Sequence, residues 1–138
     1  MSGPGLKHID SHAAIHEAAL NEAKELNRLI AKLVRAKRFD KAIEVAYIIV
    51  EHWETRTLQH AAAEEEGLYK DLLDENPNLK DEITALIRDH NIMRFLVKKI
   101  KKILETEGFT EEILELFYTL VHVDHFHNLQ EEKLLPDH

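Results

Sequence analysis

Cysteine is absent from this 138-residue chain, and glycine and proline are scarce, at four and three residues. Without a thiol there is no disulfide framework, cysteine-ligated zinc, iron–sulfur cluster or cysteine nucleophile. So little turn-forming material disfavours a many-stranded β fold and suits a few long helices. Positive charge is also in deficit: 18 basic against 26 acidic residues leave a net charge of −8, so nucleic acid is not an expected partner. No apolar run approaches the roughly 18 residues of a bilayer-spanning helix, and no basic-then-apolar leader opens the chain. The expected address is the cytoplasm, away from the membrane. What the chain has in excess is histidine, ten residues in a length that fits one domain with a single core.

The apolar residues recur at helical spacing in four stretches. Met1 to Gly5 reads as a tail, and a flexible segment over residues 1–10 precedes a helical domain over 11–138. The first helix spans about 11–37, with His16, Ala19, Leu20, Ala23, Leu26, Ile30, Leu33 and Val34 on one face. Arg38 and Phe39 form a break, and Asp40 is the expected N-cap of a second helix. That helix carries Ile43, Ala46, Val50, Trp53, Thr57, His60, Glu64 and Leu68 inward and runs into the early seventies. The stretch around Pro77 is the strongest break, because proline lacks an amide proton and restricts the residue before it. A third helix begins near Leu79, places Ile83, Leu86, His90, Met93, Val97, Ile100 and Leu104 inward, and stops at Gly108. Thr110 caps a fourth, with Ile113, Leu116, Phe117, Leu120, Val123, His127, Glu131 and Leu134 inward. Short connections between four helices predict an all-α, antiparallel up-down-up-down bundle. The lysines at 98, 99, 101 and 102 read as a solvated outer face.

Each apolar stripe contains residues foreign to an oily core: His16, His60 with Glu64, His90, and His127 with Glu131. Unpartnered, six buried ionisable groups would be very costly, so they pair with one another or bind something. Each histidine–glutamate pair is four residues apart, one turn along a single helix face. In antiparallel helices rising about 1.5 Å per residue, two residues are level when equally far from the connecting turn. With a turn near residue 38, His16 lies about 22 residues before it and His60 about 22 after. The turns near 76 and 108 place His90 level with the His60–Glu64 pair, and His127 level with His90. All six therefore fall in one layer.

Four imidazoles and two carboxylates converging inside a bundle predict a metal site, and two carboxylates suit two cations ~3.5–4 Å apart. The mixed nitrogen and oxygen donors favour iron, with manganese and zinc as further candidates. The remaining histidines carry no such expectation. His12 reads as a solvated helix start, or a gating group one turn above the site; His52 falls off the stripe and is expected to be exposed; His122 and His125 lack a carboxylate four residues on. Tyr47, Tyr69, Tyr118 and Trp53 are expected to serve packing. The ferritin-like spacing, glutamate three residues before histidine, has no instance here.

These residues resemble the hemerythrin-like family, the HHE cation-binding domains. The matching stretches are Ile15-His16-Glu17-Ala18-Ala19-Leu20, His60-Ala61-Ala62-Ala63-Glu64-Glu65-Glu66-Gly67-Leu68-Tyr69, Asp89-His90-Asn91 and the run from His127 to Pro136. The resemblance covers nearly the whole chain. It implies a non-haem di-iron centre with a shared oxo or hydroxo, bridging Glu64 and Glu131, and terminal His16, His60, His90 and His127. His16 and His60 would serve one iron and His90 and His127 the other. The family's oxygen carriers place a second histidine four residues after the third-helix ligand, where this chain has Arg94. That departure looks more like the di-iron proteins of iron-centre repair and of nitric-oxide or oxygen stress. An open position on each metal then predicts a small diatomic ligand or peroxide. Binding or sensing, an enzyme or iron donor, a simple reversible oxygen carrier and a metal-stabilised structural or interaction module all stay open. Glu65 and Glu132 are expected to face outward.

Overall fold

The computed structural model describes residues 4–135, and these are helical without a strand. Helix α1 spans Pro4–Arg35, α2 Phe39–His52, α3 Gln59–Glu66, α4 Leu68–Glu75, α5 Lys80–Glu107 and α6 Glu111–Leu134. A π-helical segment, Trp53–Leu58, joins α2 to α3, and a 3₁₀ turn, Pro77–Leu79, precedes α5. Helices α2, α3 and α4 with the π-helical segment make one bent stretch, so four helical stretches pack together. Helix α1 lies against α2 and α6, and α5 lies against α6 and against α2 with its π-helical continuation. None of the described helices is long and apolar enough to cross a membrane.

The helix ends differ from expectation where local chemistry intervenes. Helix α1 begins at Pro4, ahead of the start expected near residue 11, and residues 1–3 lie outside the described residues. Proline at the first helical position loses no hydrogen bond, and its fixed φ suits the helix. The first break falls at residues 36–38, where Lys37 takes a positive φ of 58°. The N-cap of α2 is therefore Arg38, and Asp40 sits in the first turn instead. Its negative charge there still complements the helix dipole. Thr110 occupies the N-cap of α6 with extended backbone, yet its hydroxyl is buried without a hydrogen bond.

Two interruptions mark the second stretch, both beyond the reach of a stripe argument. In the π-helical segment the backbone N–H of Gln59 donates to the carbonyl of Glu54, five residues back, so the turn carries an extra residue. The Thr55 hydroxyl donates to the Glu51 carbonyl at 2.8 Å in the same region. At Gly67, with φ −116° and ψ −81°, the chain kinks between α3 and α4, and Tyr69 two residues later is fully buried.

The apolar residues form two clusters. The larger includes Ile30, Ile49, Trp53, Met93, Ile100, Phe117 and Leu120; the smaller is built on Tyr69, Leu72, Ile83 and Leu86, with Leu134 against it. Along α5, His90 falls between Leu86 of the smaller cluster and Met93 of the larger. His127 and Glu131 fall likewise between Leu120 and Leu134 on α6. The ionisable layer thus lies where the two cores meet, and apolar packing on both sides limits its contact with water. The four-lysine run does face outward, with Lys101 on Glu54 at 3.0 Å and Lys99 on Glu112 at 3.3 Å, while Ile100 is buried.

Gly108 ends α5 at φ 77° and ψ −151°, a backbone region that only glycine enters readily. An added Cβ would meet nothing closer than the Ile43 Cδ1 at 3.9 Å, so the penalty is conformational. Gly108→Ala is expected to destabilise the fold by about 1–3 kcal/mol, read as a lower denaturation midpoint with metal content unchanged.

Candidate metal centre

All six residues expected at the site come together, and a seventh joins them. The imidazole and carboxylate donors form two groups, His12, His16, His60 and Glu64, and Glu64, His90, His127 and Glu131, with the atoms of each group within 4.8 Å of one another. Either group could hold a metal ion, and Glu64 belongs to both. His16 and His60 fall in the first group, and His90 and His127 in the second.

The carboxylates face both ways. Glu64 turns Oε2 toward the Nε2 atoms of His12, His16 and His60, at 2.5, 3.2 and 3.5 Å, and Oε1 toward the Nε2 of His90, at 3.2 Å. Glu131 turns Oε1 toward His12, in short contact, and toward His16 at 3.7 Å. Its Oε2 faces the His127 Nε2 at 3.3 Å and accepts a short hydrogen bond from the Tyr69 hydroxyl. Each carboxylate therefore offers one oxygen to each group of imidazoles.

The outer nitrogens of the second group are anchored. The His90 Nδ1–H donates to Glu65 Oε2 at 2.7 Å, and the His127 Nδ1–H donates to Asp89 Oδ2 at 3.0 Å. A proton held at Nδ1 by a carboxylate leaves the Nε2 lone pair free and more basic, the usual support of a metal-binding imidazole. Glu65 is in turn held by Arg94 at 3.0 Å. Arg94, four residues after His90, thus braces the carboxylate that orients His90. Burial works against ionised Glu65, but Arg94 and His90 outweigh it and hold its carboxyl below the ordinary range.

The His90 and His127 Nε2 atoms lie 3.1 Å apart, within hydrogen-bond distance, beside the Glu64 carboxylate. The His60 Nε2 and the Glu64 Oε2 are buried and lack hydrogen-bond geometry to any described group, although three imidazole nitrogens crowd that oxygen. Nitrogen and oxygen atoms converging at these distances call for a shared cation, a proton or a metal ion. Imidazole nitrogen and carboxylate oxygen suit iron, manganese or zinc alike, so the donor set does not choose among these metals.

Without a metal the layer is held by protons. Burial alone would depress the His12 imidazolium, but Glu131 and Glu64 overcome it and push its pKa up to about 9. Burial also opposes ionisation of Glu64 and Glu131, yet the surrounding histidines keep both carboxyls below the ordinary range. Tyr69 is pushed well above the usual phenol value, first by burial and then by Glu131 and Glu64, so it stays a neutral donor.

Several expectations are corrected here. His12, read as a solvated helix start, is only 5% exposed and takes part in the first donor group. Its position four residues before His16 carried the signal. His52 is buried, and its Nε2–H donates to the Ala19 carbonyl at 2.9 Å, a tie between α1 and α2. Glu65 faces His90, while Glu132 is exposed as expected. Tyr69 packs nearly parallel to His90, with rings 5.6 Å apart, and also donates into the site. Trp53 is a packing residue, whereas Tyr47 and Tyr118 are exposed. His122 and His125 are exposed as well, and His8 lies among residues whose side chains are outside the described ones.

The His12 shift fixes a pH dependence for the metal-free protein. A pKa raised in the folded state contributes stability that is fully present below 6.5, the ordinary histidine value, and is lost as pH rises toward about 9. The denaturation midpoint of chelator-treated protein is expected to fall across that window. In His12→Gln the decline should flatten.

Comparison of the chain with family models, with curated proteins and with solved structures gave no match.

Proposed function

We propose that the protein is a non-haem di-iron protein of the hemerythrin-like type, its four helical stretches running up-down-up-down. It binds or reacts with oxygen, peroxide or nitric oxide. The observation that carries this reading is the two-way presentation of Glu64 and Glu131, each with one oxygen toward His12, His16 and His60 and the other toward His90 and His127. A carboxylate aimed at two nitrogen sets is the natural bridge between two cations.

In this arrangement His16 and His60, joined by His12, would hold one metal, and His90 and His127 would hold the other. Two irons bound there supply redox chemistry that a cysteine-free chain lacks. The protein's own contributions are orientation, exclusion of water and hydrogen bonding. Asp89 and Glu65 fix the His127 and His90 rings through their outer nitrogens, and Arg94 fixes Glu65. The two apolar clusters keep the layer dry, which strengthens every interaction within it. Tyr69 holds Glu131 by its hydroxyl proton.

A cavity of about 10 Å³ lies against His16, His60, Glu64, His90 and His127, room for about one water-sized molecule.

Metal analysis of the purified protein, with optical spectra of the reduced form before and after oxygen, tests the proposal. Expected are about two irons per chain and a spectral change on exposure to oxygen, peroxide or nitric oxide. Protein without bound metal, or iron-loaded protein inert to all three, would contradict it. Asp89→Asn should weaken metal binding by about 10–100-fold with helicity retained. Glu64→Ala separates a functional metal from a structural one. Loss of chemistry in a folded protein supports the proposal, whereas unfolding points to a metal-stabilised module.

A further inference from the structure

A groove of about 510 Å³ lies on the outside of the bundle, where the π-helical segment Trp53–Leu58 runs beside α5. None of the metal-donor residues lines it. Its volume falls in the ~300–1,000 Å³ range of small-molecule sites. Leu58 and Val97 form an apolar floor, and the carbon stems of the lysines around it extend that surface. One wall comes from the irregular turn itself, through Glu54 and Leu58, and π-helical turns recur at functional sites.

The cations on the wall differ in what they already hold. Arg94 donates to Asn91 at 2.8 Å and pairs with Glu65 at 3.0 Å, and Lys101 pairs with Glu54 at 3.0 Å. Lys98 and Lys102, one turn apart on α5, make no ion pair among the described residues. Glu105 is unpaired as well, and it lies two turns beyond Lys98, about 10 Å along the helix. Two unpaired lysines against one unpaired glutamate leave a surplus of one positive charge, in a chain whose net charge is −8. That surplus suits a singly charged head over a phosphate. Lys98 and Lys102 also border a smaller hollow of about 330 Å³ with Phe95 and Lys99, but all four of its lining residues come from α5 alone. Only the larger groove has walls from two elements.

We propose that this groove is a binding site for an organic monoanion with an apolar body, a medium-chain carboxylate in class. Its head lies between Lys98 and Lys102, and its carbon chain covers Leu58 and Val97. The site is separate from the donor layer and does not depend on what that layer holds.

Calorimetric titration of the purified full chain with octanoate tests the assignment, with acetate as the charge alone and 1-octanol as the apolar body alone. Octanoate is expected to bind with saturation, about one per chain, and both controls at least about ten-fold more weakly. The double variant Lys98→Gln with Lys102→Gln should bind octanoate about three- to ten-fold more weakly, with helical circular dichroism unchanged because both positions are exposed. Glu105→Gln, which removes the unpaired carboxylate, should bind it about two-fold more tightly. Lys99→Gln, on the Phe95 side, should leave the affinity as in wild type. Absence of saturable octanoate binding would overturn the proposal, as would octanol binding as tightly as octanoate or a double variant that matches wild type. A Lys99→Gln loss equal to that of the double variant would move the site to the Phe95 hollow and overturn it too. Binding to vesicles of anionic phospholipid without binding of free octanoate would replace the site with a membrane-facing surface.

Discussion

Two carboxylates, Glu64 and Glu131, lie buried side by side among five imidazoles, and much of the structure is arranged around the charge they bring into the core. Like charges at short range in a dry interior repel strongly, and neither carboxylate can be left without a positive partner. Protons on the histidines provide one answer, as the raised value of His12 shows. Metal cations provide the other, and the orientation of the donors fits them as well, since every one of the five imidazoles turns Nε2 inward.

The apolar structure serves this layer in two ways. The larger cluster supplies the burial that keeps four helical stretches together, and the smaller one closes the opposite side. The result is a polar slab with low-dielectric walls, in which hydrogen bonds such as those from His90 to Glu65 and from His127 to Asp89 keep their orienting force. Irregular backbone occurs next to the site. The π-helical segment ends one residue before α3 brings His60, and the Gly67 kink ends α3 before Tyr69 enters the core. Both are places where a regular helix would have given a different phase to the residues that follow.

Much of the fold was legible from spacing. Helical periodicity placed four stretches and their breaks near 38, 76 and 108, and equal distances from those breaks put His16, His60, His90 and His127 at one height. The argument was less reliable where side chains reach beyond their own stripe. His12 was discounted because it lies near the start of the chain, yet α1 continues past it to Pro4 and carries its ring into the layer. Glu65 follows an inward residue and so seemed to face solvent, but a glutamate beside α5 is long enough to meet the His90 Nδ1.

The sequence by itself determined the set of donor residues and their common level. The absence of thiols, the histidine–glutamate pairs one turn apart and their common height depend only on residue identity and helical rise. Tertiary structure decided which oxygen of each carboxylate faces which imidazoles, that Asp89, Glu65 and Arg94 brace the rings, and that Tyr69 and Asp124 are buried beside them. Those features depend on how neighbouring helices rotate and approach, and a one-dimensional periodicity fixes the face of a helix but not the side-chain atoms that meet across it.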